Sequence, residues 1–122
     1  MNWFEPLPSS CPPPEAEQPN GKTFYRLCAN DKASSNVFCS QRSSSQNKSF
    51  AGVSECILRA VSIWESKEKC EALKKLPVHR EKKVGCITLV NSDGVVLQTF
   101  KPQHFSWWRS NSFNPETSLI LV

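Results

Sequence analysis

Hydrophobic positions along the chain fall into short runs, and their spacing changes from run to run. "TFYRLC", Thr23–Cys28, is aromatic and β-favouring and predicts a first strand, with Phe24 and Arg26 on one face and Tyr25 and Leu27 on the other. "AVSIW" predicts a second strand, and "VGCITLV", Val84–Val90, a third whose two largely apolar faces suit a covered, central place. "NSDG", Asn91–Gly94, has strong turn chemistry and predicts a hairpin that returns "VVLQTF" against the third strand. The tail "TSLILV" supplies a last strand. Helical signals lie between these runs. Ser54 is placed to cap a short helix through Arg59, with Glu55 favourably near its start. Ser66 is placed to cap a second helix, "KEKCEALKKLP". There Cys70, Leu73 and Leu76 form an inward stripe, Glu71 faces Lys74 or Lys75 on the wet side, and Pro77 is the stop. The pattern predicts an α+β fold: a small, mainly antiparallel sheet with one or two helices on one side.

Two stretches lack such periodicity. Residues 1–21 carry "PLPSSCPPPEAEQPN", where proline fixes φ and removes donors, so they form an extended arm ahead of a single compact domain over 22–122. Trp3, Phe4 and Leu7 predict that part of the arm docks, since aromatic rings gain little in water; a proline-rich ligand for an SH3-like partner is the functional counterpart. "ANDKASSNVFCSQRSSSQNKSF" is Ser- and Asn-rich and predicts a long loop, which in a small domain is usually functional or mobile.

Composition narrows the classes. At 122 residues there is room for one domain, and 39% hydrophobic residues suffice for an ordinary core. A net charge of +4 permits contact with single-stranded nucleic acid or an acidic partner without pointing to either. The six cysteines include no CxxC pair and none close to either histidine, so no metal site is expected. The opening "MNWFEPLPSSCPPP" has no basic segment followed by an apolar one, and no run is long enough to span a bilayer. The expectation is a cytoplasmic protein with buried, reduced thiols, Cys56 among them.

Signatures of common nucleotide-binding, phosphate-binding, hydrolase and metalloprotease families are missing. Attention falls on "HFSWWRS", His104–Ser110. Adjacent tryptophans in a strand point to opposite faces, so one of Trp107 and Trp108 is core and the other exposed or covered by a loop. His104, Ser106 and Trp108 would share a face, a small ligand surface on which an indole could stack a base or nicotinamide ring; the alternative is a tryptophan held down by the arm. His104 is also a candidate general base, because imidazole titrates near neutral pH.

Taken together, "FYRL", "SEC…RAVSIW", "LKKLP", "GCITL…GVV" and "HFSWWRS" resemble a family of small uncharacterised bacterial proteins, over most of the chain after Lys22. That resemblance implies a folded domain and no particular activity. A fainter, fold-level similarity is to ADP-ribosyltransferase-like domains, which implies NAD as ligand, Arg26 on the first strand, Ser62 on a later one, and a late glutamate for which Glu116 is the candidate. Three functions follow as expectations. The first is a non-catalytic module that binds a protein partner, with no cofactor. The second is an NAD- or nucleotide-binding domain using Arg26, Ser62, His104 and Trp108, with His104 and Glu116 as catalytic candidates. The third is single-stranded nucleic-acid binding.

Overall fold

The computed structural model describes residues 1–28 and 35–122. Six strands form one antiparallel sheet: β1 Lys22–Cys28, β2 Val61–Trp64, β3 Lys83–Leu89, β4 Gly94–Gln98, β5 His104–Arg109 and β6 Ile120–Leu121, in spatial order β4-β5-β2-β1-β3-β6. Four helices accompany it: α1 Gln41–Ser44, α2 Glu55–Leu58, α3 Lys67–Leu73 and α4 Pro115–Ser118. This is the α+β architecture that the alternating runs predict.

Strand pairing departs from the sequence reading at one place. β4 does not return against β3; it lies at the opposite end of the sheet and pairs with β5, Val96 opposite Trp107 and Leu97 opposite Ser106. "NSDG" does turn, as a 3-10 turn over Asn91–Asp93 in which the Val90 N–H donates to the Asp93 carboxylate at 2.8 Å. It launches a crossing rather than a hairpin, and Gly94, at φ 130°, packs so closely on the Trp108 carbonyl that a side chain there would collide with it.

One face of the sheet builds the core. Phe24, Val61, Ile63, Ile87, Leu89, Val96 and Trp107 are buried together, covered by Phe38 and Phe113. The rings of Phe38, Trp107 and Phe113 meet edge to face at centroid separations between 4.8 and 6.0 Å. Phe38 belongs to the stretch read as loop; that stretch contains a 3-10 turn, Ser35–Phe38, and α1, while its residues 29–34 lie outside the described part.

The helices are short. Ser54 caps α2 as expected, accepting from the Ile57 N–H at 3.2 Å. Ser66 does not cap α3: its hydroxyl bonds the Glu68 carboxylate instead, at 3.0 Å. α3 ends at Leu73, before Pro77, so Cys70 is buried but Leu76 falls beyond the helix and is 50% exposed. Among the described residues the salt bridges are Lys22–Glu65, Arg42–Glu55 and Arg59–Glu55; Glu71 makes none.

The arm docks on the sheet. Trp3 bridges to Ser110 and Glu17 to Val96, extending the edge beside β4 and β5. The Phe4 ring covers the Arg109 guanidinium at 3.6 Å, with the Phe113 ring at 5.2 Å and the Phe38 carbonyl accepting from Nη1 at 3.0 Å. A disulfide joins Cys11 to Cys56. That corrects the expectation of a buried, reduced thiol at Cys56: Cys28, Cys39, Cys70 and Cys86 remain thiols, while Cys56 ties the arm to α2. Burial pushes the Cys70 thiol up to about 11, with Cys28 beside it adding to the effect, so it is an inert packing group. Among the described residues no helix is long and apolar enough to cross a membrane.

Candidate functional site

The sheet face opposite the core carries Tyr25, Leu27, Ser62, Trp64, His104, Ser106 and Trp108, as the registers Tyr25–Trp64, Ser62–Ser106 and Trp64–His104 require. Both tryptophans of "HFSWWRS" are fully buried, on opposite faces. Trp107 belongs to the core and donates its indole N–H to the Asp93 carbonyl at 3.0 Å. Trp108 is closed over by α2, and its indole N–H donates to the Cys56 carbonyl at 2.9 Å. The expected ligand surface of His104, Ser106 and Trp108 is therefore not open at Trp108, whose ring is 0% exposed.

His104 is 7% exposed and tied in place. Its Nδ1 lies 3.1 Å from the Thr99 carbonyl and 3.2 Å from the Thr99 hydroxyl, which in turn meets the Ser106 hydroxyl at 2.8 Å. Its ring sits against Trp64 at 4.9 Å and under Phe100 at 5.6 Å. Burial holds its pKa below the ordinary histidine value, with the Thr99 contact working the other way. This is a neutral imidazole that orders the floor of the face.

Two hollows open on this face and share Ser62, which is exposed. One, about 300 Å³, is apolar: Phe50, Val53, Ile57 and Leu58 wall it, Ala60, Ser62 and Ser106 form its floor, and Phe100 stands at its rim. Phe100 is 70% exposed with φ 63°. A left-handed backbone costs a non-glycine residue about 1–2 kcal/mol, so the turn holds an aromatic ring in water at an energetic cost.

The other hollow, about 220 Å³, is cationic and lined by Arg26, Leu27, Ser62, Trp64, Leu73, His79 and Lys82. It exists because β1 and β2 are in register only at Tyr25–Trp64. Beyond that point the Arg26 side chain bridges them: Nη1 donates to the Ser62 carbonyl at 2.7 Å, Nε to the Val37 carbonyl at 2.9 Å and Nη2 to the Cys39 carbonyl at 3.4 Å. Burial lowers the Arg26 pKa, opposed by the neighbouring thiols of Cys28, Cys39 and Cys70. His79 Nδ1 is buried and has no hydrogen-bond partner among the described residues; such a group costs about 1–3 kcal/mol until one is supplied.

The sequence candidates thus separate. Arg26, Ser62 and His104 gather around Trp64, Trp108 is buried beneath α2, and Glu116 lies in α4, outside the residues lining either hollow. The sequence reading singles out neither His79 nor Lys82 in the basic run "HREKK"; the proline-started turn Pro77–His79 sets them at the cleft beside Arg26 and Leu27 of β1. A larger hollow of about 520 Å³ between the arm and α1 contains Arg42 and Arg59, but both are spent on Glu55 and on backbone carbonyls. Among the described residues no group of His, Cys, Asp and Glu is arranged to hold a metal. Comparison with protein-family models, with curated proteins and with solved structures finds no match.

Proposed function

We propose that this domain is a non-catalytic binding module that recognises a protein partner, receiving an extended segment of it across the open sheet face at Ser62. The observation that carries this reading is Phe100, an aromatic ring held 70% exposed in a left-handed turn at the rim of an apolar hollow. An exposed ring beside an apolar hollow supplies the anchor chemistry typical of partner recognition, and a strained backbone at such a place fits a functional site. The buried and tied His104 supports a binding role over a catalytic one.

The test is to pan a random-peptide display library on the immobilised domain and titrate the enriched peptides in solution. Peptides with an aromatic or branched aliphatic anchor are expected, and Phe100→Asp should weaken them about tenfold or more, the effect of losing an apolar anchor. Equal affinity for the wild-type and variant domains, or no enrichment, would contradict the reading.

A second reading, an NAD- or nucleotide-binding domain, is favoured by the meeting of Arg26 and Ser62 in one cationic cleft. It predicts that excess NAD⁺ raises the unfolding midpoint by several degrees, since ligand at a hundred times its dissociation constant stabilises by about 2.7 kcal/mol. No rise at saturating NAD⁺ would remove it.

A further inference from the structure

We propose that the cleft between β1, β2 and the Pro77–His79 turn is a subsite for a phosphoryl group, carried by a side chain of the partner segment; this rests on the reading above. Arg26 is fixed before any ligand arrives, since carbonyls from Val37, Ser62 and Cys39 hold its fork. They use three of its five N–H donors, which leaves two for an anion. A guanidinium held in this way loses little freedom on binding and presents paired donors that match phosphate oxygens. His79 contributes the second observation. Its buried Nδ1 has no partner among the described residues, and the residue lines the same cleft. Lys82 adds a second cation, and no carboxylate is among the described residues that line the cleft. A fixed guanidinium beside a second cation, with no carboxylate among the described lining residues, matches a phosphoryl dianion better than a single carboxylate.

The neighbouring hollow refines the ligand. Both cavities touch Ser62, and the apolar one extends to Ala60. Two residues along a strand cover about 7 Å, so one extended segment would place an apolar side chain about two positions from the phosphorylated one.

The test uses inorganic phosphate as probe, titrated into the isotope-labelled domain at constant ionic strength balanced with sodium chloride. The Trp64 indole and the His79 ring are followed by NMR. A saturable shift at both is expected. Lys82→Gln and His79→Phe leave the Arg26 staple in place, and each should weaken phosphate about tenfold, as loss of one charge-assisted contact does. Shifts that chloride reproduces, or variants that bind phosphate like the wild type, would overturn the subsite.

A phosphorylated version of an enriched peptide should then bind at least as tightly as phosphate and more tightly than its unphosphorylated parent. If NAD⁺ or ADP outcompetes that peptide, the assignment to a partner side chain is overturned. Enriched peptides that bind through Phe100 while phosphate gives no response would sink the subsite and leave the partner reading standing. A phosphate response without any enriched peptide would sink the partner reading and, with it, the assignment of the phosphoryl group to a partner side chain.

Discussion

Replacing both Cys11 and Cys56 by serine removes a cross-link between residues 45 positions apart in sequence. In the chain-entropy treatment a closed loop of this length stabilises the fold by about 4 kcal/mol, and observed values commonly lie at 2–4 kcal/mol. The native arm has other ties, including Phe4 N–H to the Arg109 carbonyl at 3.0 Å and Glu17 N–H to the Val96 carbonyl at 2.8 Å. The arm should therefore stay docked in the variant, and the loss should come from a freer unfolded chain. For 122 residues the unfolding entropy is about 0.26 kcal/mol/K, so the midpoint should fall by about 8–15 °C. Thermal and urea unfolding followed by circular dichroism measure this, and the urea slope should rise, because an uncrosslinked chain exposes more surface. Alkylation of the unreduced native protein, read by mass spectrometry, should leave both cysteines unlabelled. Labelling of both, or a midpoint drop under about 3 °C with an unchanged slope, would refute the reasoning.

Trp108→Ala should destabilise by about 3–5 kcal/mol, the usual cost of deleting a buried indole, and Trp108→Phe by about 1–3 kcal/mol through the unpaired Cys56 carbonyl; urea midpoints near wild type would return the ring to the surface. His104, whose folded pKa is lowered by burial, contributes stability that is present above the ordinary value of 6.5 and lost as pH falls below it, because the unfolded chain then binds the proton first. His104→Asn should flatten that part of the stability–pH curve, and an unchanged slope would contradict the assignment. Glu55 is held below the usual carboxylate range, first by its hydrogen bond from Arg42 and then by that from Arg59. Its stabilisation is complete above the ordinary value of 4.5 and lost as pH falls through the lowered one, so Glu55→Gln should remove that acid-side loss from the midpoint–pH profile.

Much of the fold was legible because it is encoded locally. Short β-favouring and apolar runs placed β1, β2 and β3, and period-two alternation correctly sent Trp107 and Trp108 to opposite faces. Pairing is not encoded locally. "NSDG" specifies a turn but not which strand receives the chain, and β4 found β5 because Val96 completes the core beside Trp107. The alternation of "HFSWWRS" likewise could not show what lies above each face. Trp108 is buried beneath α2, which the Cys11–Cys56 link ties to the arm, and neither the partner helix nor the cysteine pairing has a local signal.

The site was half visible. Arg26 and Ser62 are named through the fold-level similarity to ADP-ribosyltransferase-like domains, and a hydrogen bond from Arg26 to the Ser62 carbonyl joins them. His79, Lys82 and Phe100 depended on turn geometry: the turn after α3 folds "HREKK" back to the sheet, and "TFKPQ" gives no local sign that Phe100 and Gln103 adopt positive φ. Glu116 was nominated by analogy to another fold, and α4 packs beside the Ser35–Phe38 turn instead.

The open face around Ser62 is proposed as the binding surface, and Ser62→Trp probes it at its centre. Ser62 is exposed and lines both hollows, so an indole there obstructs both without displacing a core residue. The measurement is the affinity of an enriched peptide for the wild-type and Ser62→Trp domains by calorimetric titration. Affinity should fall about tenfold or more while the unfolding midpoint stays near wild type. Unchanged affinity with an intact fold would contradict the claim and move the binding surface elsewhere on the molecule.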